Sequence, residues 1–112
     1  MQALGGAWSR DTSATPDEWT PDNSARGQCA VTALIVQDRF GGVLVRGIVN
    51  SESHYWNRVG NLELDLTAGQ FGADPFSRER VVIRDRDYVL SFPATKQRYE
   101  ILTARLQQWD CE

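Results

Sequence analysis

The chain has 112 residues, a formal charge of -3, a pI near 5.1, 41% hydrophobic and 24% charged residues. That length predicts one small domain over residues 1–112 with a single core. The acidic balance excludes a polyanionic partner such as nucleic acid, because phosphate binding needs a basic field. No apolar run reaches the length of a membrane span, and Met1 to Ser9 lack the basic start and long apolar stretch of a signal peptide. A cytoplasmic protein without a membrane partner is expected.

In chain order, Gln2 to Trp8 reads as a short amphipathic helix with Ala3, Leu4, Ala7 and Trp8 on one side. Asp11 to Arg26, with Pro16, Pro21, Asp17, Asp22, Asn23 and Ser24, is a long loop. Loops of that length in small domains are often functional, and Trp19 is placed to wall one side of a cleft or to cover the core. Gly27 then turns the chain into Cys29 to Phe40, a helix apolar on most of its circumference and therefore central, which Gly41-Gly42 stops. Val43 to Val49 is β-branched and short, so it is a strand.

Val59-Gly60-Asn61-Leu62 predicts a hairpin with a two-residue turn and glycine first, as a type II′ turn requires. That register sets Val59 against Leu62, Arg58 against Glu63, Trp56 against Asp65 and His54 against Thr67. Alternation then puts Tyr55, Asn57, Val59, Leu62, Leu64 and Leu66 on a core face. His54, Trp56, Arg58, Glu63, Asp65 and Thr67 share the other. His54 and Asp65 become diagonal neighbours, roughly 7 Å apart at the backbone. Asn57, the one polar group on the core face, is expected to be a hydrogen-bonded structural amide.

Beyond the hairpin, Ala68 to Arg80 reads as a returning loop, Val81 to Ile83 as an edge strand and Arg86 to Ser91 as a short helix. Thr95 to Trp109 is an amphipathic helix whose stripe of Tyr99, Leu102, Leu106 and Trp109 covers the apolar hairpin face. Lys96, Arg98 and Arg105 read as a solvated basic face. Cys29 and Cys111 form neither a disulfide framework nor a metal-ligand spacing, so no cofactor or metal is expected and Cys111 reads as a free terminal thiol.

The chemistry-bearing residues are Cys29, His54 and Asp65. A thiol at a helix start lies beside unpaired N–H groups and the positive end of the dipole, which favours the thiolate. A carboxylate orients the imidazole and stabilises its cation, leaving the other ring nitrogen to take the thiol proton. Cys29 would attack, His54 shuttle the proton and Asp65 orient. The oxyanion would be met first by the backbone N–H of Cys29. Gln28, Trp19 and Trp56 are the further substrate or oxyanion candidates.

The string Gly-Gln-Cys-Ala-Val-Thr-Ala-Leu-Ile-Val-Gln-Asp, then Gly-Gly, His-Tyr-Trp-Asn, Asp-Leu-Thr and Gln70-Phe71 resembles the YunG-like family of small bacterial proteins, from about Trp8 to the C-terminal helix. More distantly, His54-Tyr55-Trp56 followed by Leu64-Asp65-Leu66-Thr67 is similar to elements of transglutaminase-like and NlpC-type cysteine enzymes of the papain-like fold. That resemblance implies catalytic roles for Cys29, His54 and Asp65 and no others. It implies an α+β fold with a papain-like thiol-enzyme core: a cysteine-bearing helix on a small antiparallel sheet, then a C-terminal helix.

The expected function is that of a thiol amidohydrolase or acyltransferase acting through an acyl-enzyme on a small amide, isopeptide, thioester or peptide. Two other readings belong to different classes. One is a non-catalytic binding or accessory module that keeps the papain-like fold. The other is a redox or metal site on Cys29 and His54, for which the chain has neither CxxC nor a second ligand pair.

Overall fold

The computed structural model describes residues 7–49, 52–67 and 78–110, without the side chains of 78, 79 and 108–110. Residues 2–6 of the expected first helix, 68–77 of the returning loop, Gln70-Phe71 and Cys111 lie outside them. The 10–26 segment holds two 3-10 turns, Arg10–Thr12 and Pro16–Glu18, and leads into helix α1 (Cys29–Phe40). Strands β1 (Val43–Val49), β2 (Glu52–Val59), β3 (Leu62–Leu64) and β4 (Arg78–Arg84) follow, then helices α2 (Arg86–Leu90) and α3 (Pro93–Asp110).

The strands form one antiparallel sheet in the order β3-β2-β1-β4, with β4 at an edge. This is an α+β fold with a small four-stranded sheet. The hairpin forms in the expected register, Val59 against Leu62, Arg58 against Glu63 and Asn57 against Leu64. Gly60 takes φ 59, and Asn61 is not among the residues of positive φ, which is the pattern of a type II′ turn. The ladder ends there, however. β3 stops at Leu64 and Leu66-Thr67 turn away, so the expected strand pairs Trp56–Asp65 and His54–Thr67 do not form.

Helix α1 is the centre of the molecule. Ala33 and Leu34 pack on Leu44 of β1 and Val89 of α2, with Tyr55 of β2 against the same cluster. On its other side Val31 and Ile35 meet Leu102 and Leu106 of α3, with Ala7, Trp8 and Tyr99 beside them. Apolar residues on both sides explain the nearly all-apolar sequence; burying each such aliphatic side chain is worth roughly 1.5–3 kcal/mol. Tyr99, Leu102 and Leu106 of α3 thus cover α1 rather than the hairpin face, because α1 already occupies that face of the sheet.

The division of the hairpin into one core face and one open face also changes. Tyr55 and Asn57 do turn toward α1, and Asn57 Nδ2 donates to the Ala33 carbonyl at 2.9 Å. Yet His54, Trp56, Val45 and Val49 on the opposite face are as deeply buried, while Leu62 and Leu66 are exposed. β2 is an inner strand closed on both faces at its middle, so alternation does not separate core from solvent there. Among the described residues no helix is long and apolar enough to cross a membrane.

Candidate functional site

Gly27 delivers Cys29 to the start of α1 at φ +74, with the 13–15 segment packed so closely that a Cβ would lie 2.3 Å from Ser13 Oγ and 2.9 Å from Ala14 N. Ala14 N–H donates to the Gly27 carbonyl at 2.9 Å and Ser13 Oγ to the Arg26 carbonyl at 2.8 Å. The long loop is therefore laced onto the turn that carries the cysteine.

Gln28, at the N-cap position, gives the helix no side-chain cap. It is fully buried: the Thr12 hydroxyl donates to its Oε1 at 2.7 Å, and its Nε2 donates to the Ser9 carbonyl at 3.0 Å. These bonds brace the loop and turn its amide away from any capping role over the first N–H groups of α1.

His54 is fully buried on β2. Its Nε2 lies 2.7 Å from Asp65 Oδ2, a distance at which the ring N–H donates to the carboxylate. The Asp65 side chain is only 7% exposed, and the Thr67 hydroxyl donates to its Oδ1 at 3.4 Å. Although Asp65 has left the strand, its carboxylate still reaches the imidazole. Burial pulls the His54 pKa down, but the hydrogen bonds of Asp65 and Cys29, together with both their charges, overcome this and push it up to about 9. Cys29 and Asp65 thus both act on the charge of one ring. With Nε2 held by Asp65, Nδ1 is the nitrogen left for exchange with the thiol.

Of the three, Cys29 lines a cavity of about 310 Å³ together with Ala14, Thr15, Gly27, Glu52 and Ser53. Arg26 lies at the same cavity and pairs with Glu52 at 2.7 Å and Glu18 at 3.0 Å. The hydrogen bond from Arg26 holds the Glu52 carboxyl below its ordinary range, against the opposing effect of burial. Among the described residues no three His, Cys, Asp or Glu side chains gather as a metal-ligand set.

The remaining sequence candidates stand elsewhere. Trp19 Nε1 donates to the Ser24 carbonyl at 3.0 Å and its ring lies under the Arg10 guanidinium, 5.8 Å away. Trp56 is buried, stacks beside His54 at 5.8 Å and donates to Glu63 Oε1 at 3.3 Å. Neither tryptophan, nor Gln28, is among the residues lining the cavity with Cys29.

Arg98, expected on a solvated basic face, is instead half-buried on α3 and lines a second cavity with Arg10, Asp11 and Ser13. Arg105 is not on a solvated face either; it donates to the Ala7 carbonyl at 3.0 Å and Ser9 Oγ at 2.6 Å, and pairs with Asp11 at 3.2 Å. Helical spacing alone could not separate these two from the exposed Lys96, because the residues that enclose Arg98 and bond Arg105 come from the distant 7–16 segment.

No solved structure matches the chain. The protein named "Uncharacterized protein YunG" of Bacillus subtilis (strain 168) is similar, 36% identical over 83 residues that cover 69% of this chain and 70% of the relative. The family model described as YunG protein matches residues 1–109. With that match across nearly its whole length, the chain belongs to the YunG family.

Proposed function

We propose that the protein is a thiol amidohydrolase or acyltransferase with a papain-like core, acting on a small amide, isopeptide or thioester. The observation that carries this reading is the buried His54 imidazole, held by Asp65 at 2.7 Å, with its proton affinity raised by Asp65 and by a Cys29 that lines a cavity. A buried ring with a carboxylate on one nitrogen and a thiol acting on its charge is suited to move a proton between fixed groups.

In the first step, with His54 already carrying its proton, the Cys29 sulfur adds as the thiolate to the substrate carbonyl carbon. The carbonyl electron pair moves to oxygen, and the uncapped start of α1, beginning with the Cys29 N–H, meets the oxyanion. Collapse re-forms the carbonyl, breaks the bond to nitrogen or sulfur and sends the His54 proton to the leaving group. Water or an amine acceptor then attacks the acyl-thioester by the reverse sequence, releasing acid or transferred acyl product. Asp65 keeps one tautomer throughout and stabilises the imidazolium.

Iodoacetamide labelling of the Cys29 peptide against pH tests the reading in wild type and His54→Ala. At neutral pH labelling should be faster in wild type than in the variant. Superimposable curves would overturn it in favour of a non-catalytic module. Given a thioester substrate that turns over, Asp65→Asn should keep the fold and lower kcat on the order of a hundredfold or more.

A further inference from the structure

A second cavity, of about 530 Å³, adjoins the first across Ala14, which lines both. Its charged lining is Arg10, Asp11 and Arg98. Asp11 is already paired with Arg105, and Arg10 donates to the carbonyls of Pro16 and Trp19. Arg98 donates one bond, to Thr95 Oγ1 at 3.1 Å, and its Nε is buried without a partner. No carboxylate among the described residues pairs with it, in contrast to Arg26, Arg86 and Arg105, which hold Glu52, Asp38 and Asp11.

A half-buried guanidinium loses hydration, and without a carboxylate that loss is not offset inside the fold. Burial lowers the pKa of Arg98, and the negative charge of Cys29 acts against that effect. Arg98 and Cys29 line adjoining cavities that share Ala14. The cavity around Cys29 is different in sign: its Arg26 is matched by two carboxylates, Glu18 and Glu52. The two cavities present opposite electrostatic ends to anything lying across Cys29.

We infer that the Arg98 cavity is an anion subsite, taking a carboxylate carried by the substrate whose acyl carbon is attacked by Cys29. The planar fork of a guanidinium matches a carboxylate in two-bond geometry, and Thr95 occupies only one of its donors. This rests on the thiol-acyl reading above and adds to it a substrate class and an orientation. The substrate carries its negative group toward α3, away from Glu52, whose charge repels it at the other end.

The test compares iodoacetate with iodoacetamide as alkylating agents of Cys29 in the full chain, read by mass spectrometry at the Cys29 peptide so that Cys111 does not contribute. Both reagents need the same thiolate, so the ratio of their rates reports only how the site treats a carboxylate. Arg98→Gln should lower that ratio at least about threefold at low salt, and Arg98→Lys, which keeps the charge but not the fork, should fall between. An unchanged ratio in Arg98→Gln overturns the subsite.

Protection of wild type needs no variant to fold: propionate should slow iodoacetamide labelling and propionamide should not. Equal effects of the two also overturn it. The acyl-transfer reading fails separately, by superimposable pH curves in wild type and His54→Ala, whatever the iodoacetate ratio shows.

Discussion

At the scale of single residues the decisive group is His54, whose ring has no exposure and is held by the Asp65 carboxylate. Its pKa rises from 6.5 to about 9, so the folded protein binds a proton that the unfolded chain has released across that interval. The stabilisation is complete below pH 6.5 and is lost as pH rises through about 9. Urea unfolding of wild type and His54→Gln at a series of pH values should show a stability gap that narrows from pH 6.5 to about 9. A gap that is flat or widens would mean that the ring is neutral throughout.

Among the elements, the junction between the 10–26 loop and α1 carries the site. Gly27 serves there in two ways, through a positive φ of +74 and through the absence of a side chain where Ser13 Oγ would lie 2.3 Å from a Cβ. Gly27→Ala must shift the loop, the turn or both, and should destabilise the protein by about 2 kcal/mol or more, measured as a lowered urea midpoint. It should also slow Cys29 labelling, since Ala14 and Thr15 line the same cavity as the thiol. Wild-type labelling in the variant would show that the loop does not shape access to Cys29. At the hairpin, the two-residue turn at Gly60-Asn61 sets which side chains of β2 share a face, and His54 with it.

Across the whole molecule, α1 joins the site to a clamp at its opposite end. Arg86 donates to Gln37 Oε1 at 2.9 Å and Tyr99 Oη at 2.8 Å, and pairs with Asp38 at 2.7 Å, while Tyr99 also donates to Asp38. One guanidinium thereby ties α1, α2 and α3 together. The pair is partly exposed, so Arg86→Met should cost only about 1–2 kcal/mol in urea unfolding. A 12-residue helix is roughly 18 Å long, and Cys29 labelling should be unchanged in this variant. Altered labelling would mean that α1 transmits strain from one end to the other.

Local chemistry sufficed for the bounds of α1 and β1 and for the hairpin turn, because each rests on interactions between near neighbours in the chain. The same locality made His54 and Asp65 readable as neighbours across a short turn. Tertiary structure alone decided what depends on contacts between distant segments. α3 covers α1 and not the sheet; Gln28 braces Thr12 and Ser9; Leu62 and Leu66 are exposed while Trp56 and His54 are buried. Arg98 and Arg105 have the same hydrophilic signature as any surface arginine, and only the packing of the 7–16 segment against α3 separates them from solvent. Periodicity identifies which residues share a face, but the burial of that face depends on the element packed against it.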